Sequence, residues 1–407
     1  KSRRLGACVP LHKLGGASTQ SMGCASSKAE EPPEPPDVPD VAGSASGKRM
    51  SYSAAETASA QQPTLPFPAT KIGMNSNHGV KPSGKFSGTT AKINQDRGVV
   101  SYPFCDDPQQ MLLAVYDGHG LHGELVSEFA TFTYVDLLEA DVENLKSDPV
   151  ECMRKNMVKC DDLIRKKRTV PSQDSGSTAI VALLSGNTIT TACVGDSRCV
   201  KGTKGTGKEW VAKDLSVDQK PDDPKEKARI ESQGGYVSKA SDAYGPARVW
   251  KGGFGIGPGL AMSRSLGDHG VAEVGVTAEP EMVVDQIGKE DTVIILASDG
   301  VWEFISSQEA VAIVQAKHPN ATAATKALIK ESTARWKSAE GNYRDDITAI
   351  VVFLPIFEEI EKAARNSTKG KHTFVHDAEE ADVSASRATD GGEIELQEQP
   401  PAAAEEA

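Results

Sequence analysis

The chain has 407 residues, 38% hydrophobic and 25% charged, an ordinary globular composition with no apolar run long enough to span a bilayer as a helix. Its net charge of −12 argues against a general nucleic-acid binder, which would carry a basic face. Seven scattered cysteines without a CxxC pair, and a basic start that no signal-length apolar core follows, point to reduced thiols in an intracellular, cytoplasmic protein.

Residues 1–70 are rich in Pro, Ser, Ala and Glu, and "EEPPEPPDVPD" reads as extended, solvated chain, so this stretch is expected to be a disordered leader. Inside it, "MGCASS" at 22–27 matches an N-myristoylation signal with a cysteine placed for palmitoylation. This suggests translation from Met22, with residues 1–21 as upstream sequence, myristate on Gly23 and palmitate on Cys24. Two acyl chains would give stable peripheral attachment to a membrane where one would not.

Ordered structure is expected from 71 to 355. Residues 97–102 and 111–116 read as strands, and 121–139 and 149–167 as helices. "TAIVALLSGNTITTACVG" (178–195) reads as a hairpin turning at Ser185-Gly186-Asn187, and "RCVKG" and "EWVAKDL" as two more strands. "DDPKEKARIESQGG" (222–235) reads as a helix with Asp223 as N-cap, Pro224 in the first turn and Gly234 as stop. "DTVIILAS" and "ITAIVVFL" read as buried strands. Helices 307–317 and 321–337 lie between them, the first with a Ser306/Glu309 capping box. Hairpins with clustered helices indicate an α+β layered sandwich of antiparallel sheets with helices outside. Residues 356–407 carry two thirds of the net charge and no apolar periodicity, so they are expected to form an acidic, mostly disordered tail after one short helix.

Aspartates stand at the ends of these strands in a repeated pattern. "LLAVYDGHG" puts Asp117-Gly118 after one apolar run, and "TVIILASDG" puts Asp299-Gly300 after another. Asp96 precedes the 97–102 strand, and Asp345 and Asp346 precede the 347–354 strand. For a single Asp-Gly, a turn is as good a reading as a ligand. In antiparallel pairs, however, the end of one strand lies beside the start of the next. Asp96 would then face Asp117, Asp299 would meet Asp345, and stacking would gather four carboxylates. Their repulsion calls for one or two divalent cations, and all-oxygen ligands favour Mg²⁺ or Mn²⁺. Gly118 would let a backbone carbonyl approach, and His119 would transfer a proton. Two metals activating a bridging water could drive hydrolysis of a phosphoester.

Five motifs carry a family resemblance: "YDGHG" (116–120), "VGDSR" (194–198), "GLAMSRSLGD" (259–268), "ASDGVWE" (297–303) and "RDDITAIVV" (344–352). In this order they resemble the type 2C, metal-dependent serine/threonine protein phosphatases, over roughly 71–355. The resemblance implies a four-layer α-β-β-α sandwich with a metal site at one end, and hydrolysis of phosphoserine and phosphothreonine on phosphoprotein substrates, by a monomer. It implies that Asp117 bridges two metals, that Gly118 gives its carbonyl to one, and that Asp299 and Asp345 hold the other. Asp96 would act through bound water and His119 as general acid. Asp196 and Asp299 would serve a weaker third metal, with Glu303 where the animal enzymes often have Asp. Residues 200–250 would include the flap. The chain departs from the family where Lys92 stands for a phosphate-binding arginine, Gln95 for a frequent Glu and Asp346 for a common Asn; Asp345 is the preferred ligand of its pair. A lysine can still bind phosphate, without the bidentate fork.

Two glycine-rich stretches are decoys. "GTKGTGKE" (202–209) lacks the Ser/Thr and the following helix of a phosphate loop, and "GGFGIGPG" (252–259) lacks the strand context of a dinucleotide fold. No cysteine is followed six positions later by arginine, so a thiolate phosphatase loop is absent. Two competing functions are a catalytically silent member of the fold acting as a binding protein and a two-metal phosphodiesterase. The retained aspartates oppose the first, and the acidic chain opposes the second.

Overall fold

The computed structural model describes residues 70–83, 88–241, 245–257, 259–364 and 372–376. The leader to residue 69, with Met22, Gly23 and Cys24, and most of the acidic tail lie outside the described residues.

Two antiparallel sheets form the inner layers. The five-stranded sheet runs Ile72–Asn77, Ile347–Phe353, Asp291–Ala297, Arg198–Lys204, Trp210–Asp214. Its Asp291–Ala297 and Ile347–Phe353 strands are buried along their whole length, which explains their near-continuous apolar sequences: both faces are covered. The larger sheet is built around Gln110–Gly120. One side of this strand pairs with Ala179–Ser185, followed by Thr188–Val194 and Glu281–Gln286; the other pairs with Asp96–Tyr102. Beyond Asp117 the same strand pairs with Ser175–Ser177, which pairs in turn with Leu266–Gly267.

Three apolar layers hold these sheets. Val115, Leu113, Ile180, Leu296 and Ile350 fill the space between them. Leu112, Ala114 and Tyr116 pack outward on helices Gly123–Ala140 and Pro149–Lys166. Val293, Ile295 and Val351 pack outward on helices Ser307–Gln315 and Ala321–Glu340. The strand alternation of period two sends successive side chains into different layers, and the result is the four-layer α-β-β-α sandwich.

Local signals act where expected. Asp223 caps helix Pro224–Ser232 by accepting from Lys225 N and Glu226 N, and the Ser306/Glu309 capping box opens Ser307–Gln315. "GTKGTGKE" ends the strand Arg198–Lys204 and turns through 205–209 into its partner Trp210–Asp214, and the first part of 200–250 therefore belongs to the sheet. Two differences are instructive. The strand read as 111–116 continues to Gly120, because Ser175–Ser177 supplies a partner to its far end. The tail also contributes His372–His376, a strand pairing with Asp96–Tyr102, after the helix Ile356–Ala364.

Candidate active site and metal centre

The site lies at the sheet ends where the aspartates emerge. Asp96 and Asp117 are Cα partners on neighbouring strands. Asp299 opens a short helix, Asp299–Trp302, immediately after the Asp291–Ala297 strand, and Asp345 precedes the Ile347–Phe353 strand paired with it. Asp196 sits in the connection between Thr188–Val194 and Arg198–Lys204.

These carboxylates act on one another. Enclosure, then the charges of Asp96, Asp299, Asp345 and Asp196, hold Asp117 well above the usual carboxylate range. Enclosure, then Asp196 and Asp345, does the same for Asp299. Burial and then the charge of Asp346 push Asp96 up to about 7. Asp96 Oδ2 accepts from Ser298 Oγ at 2.8 Å. Asp96 Oδ1 and Asp196 Oδ1 are buried without a hydrogen-bond partner among the described residues. Orphaned carboxylate oxygens in a crowd of like charge fit divalent cations, and the all-oxygen donors fit Mg²⁺ or Mn²⁺.

Among the described residues no three His, Cys, Asp or Glu side chains are grouped so that they could hold a metal ion as they stand. Two lysines offset part of the charge from the rim. Lys92 Nζ is paired with Asp345 Oδ1, and Lys220 Nζ lies 2.6 Å from Asp196 Oδ2. Lys92 is thus at the site, bound to a carboxylate. Glu303 is exposed, one helical turn after Asp299.

Gly118 lies where backbones cross: a Cβ there would come within 2.5 Å of the carbonyl oxygens of Gln95 and Gly123. Only glycine lets the strand run so close to the helix entry. Gln95 spans the same gap, its amide donating to Gly120 O at 3.0 Å and Glu124 Oε2 at 2.9 Å. A glutamate in its place would repel Glu124. Asp346 accepts from the backbone N–H of Gln95 at 2.9 Å and from that of Gly79. Both its oxygens are occupied by donors, a pattern an asparagine could not match. Asp345 is engaged by side chains instead: its Oδ1 accepts from Lys92 and its Oδ2 from the Tyr343 hydroxyl at 3.2 Å.

His119 is half-buried, with Nε2 2.6 Å from Asp268 Oδ2. Burial pulls its imidazole down, but the charge and hydrogen bond of Asp268 more than reverse this and hold it above its ordinary value. The sequence reading missed Asp268, although it closes the quoted "GLAMSRSLGD". An acidic residue left without a role in a motif was the available signal. Ser298, the donor to Asp96, was missed as well and sits beside Asp299 in "ASDGVWE".

A four-layer sandwich with acidic strand ends converging beside a histidine defines a metal-dependent phosphatase class of protein. The Protein phosphatase 2C family model matches residues 87–340, and the chain belongs to that family. It is 37% identical over 265 residues to "Probable protein phosphatase 2C 64" of Oryza sativa subsp. japonica, a match covering 64% of this chain and 62% of that protein's length. It is 32% identical over 284 residues to "Probable protein phosphatase 2C 73" of Arabidopsis thaliana, covering 64% of this chain and 76% of the relative. Among solved structures, the serine-threonine phosphatase 2C from Toxoplasma gondii superposes with a TM-score of 0.60 at 24% identity, covering 69% of this chain and 94% of that one, a likeness of fold.

Proposed function

We propose that the chain hydrolyses phosphoserine and phosphothreonine esters of proteins with the help of two divalent cations, Mg²⁺ or Mn²⁺. The observation that carries this reading is the registered pair Asp96–Asp117 within a cluster of mutually repelling carboxylates beside His119. Asp117, Asp299, Asp345, Asp96 and the Gly118 carbonyl would hold the cations, with Asp196 and Glu303 available to a weaker third. When bound, the cations supply a water of lowered pKa to attack phosphorus and offset charge on the phosphoryl oxygens.

The chain's own residues do the rest. Lys92 would bind a phosphoryl oxygen as a point charge once the cations have taken up Asp345. His119 would protonate the seryl or threonyl oxygen as the P–O bond breaks. The hairpin Tyr236–Val237/Val249–Trp250 and helix Pro224–Ser232 would form the flap that selects among phosphoproteins.

The test is release of phosphate from a phosphothreonine peptide in Mn²⁺ or Mg²⁺, followed by EDTA. Loss of turnover on chelation and in Asp117→Ala supports the reading; turnover unaffected by either refutes it. A catalytically silent binding protein predicts no turnover in any metal, and the ligand set argues against it.

The "MGCASS" motif supports a second, separate proposal: acylation at Gly23 and Cys24 of a chain started at Met22, giving peripheral membrane attachment. No helix among the described residues is long and apolar enough to cross a membrane. Intact mass of the protein made from its native transcript tests it; an unacylated chain retaining residues 1–21 refutes it.

A further inference from the structure

We propose that Asp268 is a positioning residue for the reaction: it holds the His119 ring in the orientation from which the proton is delivered to the leaving oxygen. The inference rests on the acid role proposed for His119. Its geometric basis is a three-strand ribbon beyond the main sheet. Gly176 is the Cα partner of His119 on one side and of Gly267 on the other. Asp268 follows Gly267 directly, so carboxylate and imidazole meet across the middle strand. Gly176 opens that passage, because a Cβ there would overlap the Asp268 carboxylate and crowd Ser265 Oγ.

Asp268 is itself held. It is 5% exposed, its Oδ2 accepts from Ser265 Oγ at 2.5 Å, and its backbone N–H donates to Ser175 O at 3.0 Å. Its φ of 45° lies in the left-handed region, where Asp and Asn are at home. A carboxylate only accepts, so the 2.6 Å contact fixes the proton of His119 on Nε2. The second ring nitrogen, Nδ1, is buried, and the backbone of Asp117 acts on the same ring. Asp268 and the backbone of Asp117 together set the angle at which the ring stands beside the carboxylate cluster. The step balances. Water oxygen bonds to phosphorus, and the ester P–O bond breaks with its electron pair on the seryl oxygen. That oxygen takes a proton from the His119 imidazolium, and the proton lost by the water restores it through solvent.

A positioning role differs from a structural one in its dependence on the leaving group. Phenyl phosphate needs a proton on its departing oxygen far more than p-nitrophenyl phosphate does. In Mn²⁺, Asp268→Asn and His119→Ala should each lower kcat for phenyl phosphate about 100-fold and for p-nitrophenyl phosphate about tenfold or less, with KM within about threefold. The double variant should be no slower than His119→Ala alone. Long-range ¹H–¹⁵N spectra of the metal-free protein should show a proton held on His119 Nε2, and Asp268→Asn should release it. Equal losses on both substrates in Asp268→Asn, losses that multiply with His119→Ala, or an unchanged ring spectrum overturn the proposal while leaving the acid role intact. Absence of leaving-group dependence in His119→Ala overturns the acid role and this proposal with it.

Discussion

Asp96 and Asp117 lie directly opposite each other on adjacent antiparallel strands, and the buried Asp96 leaves one carboxylate oxygen without a hydrogen bond among the described residues. The fold holds these charges together by packing that is insensitive to their repulsion. The strands enter a core shared by both sheets, with Val115, Leu113 and Val100 contributing from this pair.

The metal-free protein should therefore gain stability as pH falls. Asp96 has a folded-state pKa raised from 3.8 to about 7, and Asp117 and Asp299 are raised also. The folded state binds more protons than the unfolded one between those values, so stability declines as pH rises from about 4 through about 7. Each tenfold difference in proton affinity is worth about 1.4 kcal/mol. Thermal melts in EDTA should show Tm falling across that window, and saturating Mn²⁺ should remove or reverse the slope. A flat profile in EDTA would contradict the electrostatic account of the site.

Asp345 and Asp346 should separate by their effects. Asp345→Ala should weaken Mn²⁺ binding in titration calorimetry at least about tenfold, with little loss of stability. Asp346→Ala strips acceptors from the N–H groups of Gln95 and Gly79 and should cost about 1–3 kcal/mol in urea unfolding. The opposite assignment of the two effects would make Asp346 the ligand.

Lys92→Met should raise KM for a phosphopeptide about tenfold and change kcat less than about threefold, and Lys92→Arg should restore binding. An unchanged KM in Lys92→Met would confine the lysine to pairing with Asp345.

Glu226 ties helix Pro224–Ser232 to the loop before Leu266–Gly267. Burial alone would raise its pKa, but hydrogen bonds from Arg264, Arg229 and Ser263 hold it at about 2. The Arg264 Nη2 contact is 2.7 Å and the Ser263 Oγ contact 2.6 Å. Glu226→Gln should cost about 3 kcal/mol at pH 7. Because the folded pKa is depressed, this contribution is present above 4.5 and fades as pH falls towards 2. The gap between the wild-type and variant melts should close over that range.

Much of the local grammar of the chain was legible. The Asp223 cap, the Ser306/Glu309 box, the hairpin of Ala179–Ser185 with Thr188–Val194 and the two fully buried strands all follow from short-range preferences. So did the pairing of Asp96 with Asp117, because strand ends and starts alternate in an antiparallel pair. The extension of Gln110–Gly120 through Asp-Gly was not legible: a dipeptide favoured in turns stays extended here because Ser175–Ser177, some 60 residues on, hydrogen-bonds to it. The strand His372–His376 was hidden in an acidic composition for the same reason.

From residues and their order alone came the layered α+β class, the gathering of Asp96, Asp117, Asp299 and Asp345, and the resemblance that their motifs carry. Periodicity, capping and charge are properties of neighbours in the chain, so a sequence can state them. Which oxygen of Asp346 meets which N–H, which lysine faces Asp196, and that Asp268 reaches His119 past the bare Cα of Gly176 were settled only in three dimensions. Those contacts join residues up to 267 positions apart. They arise from packing many strands at once, and no local preference encodes them.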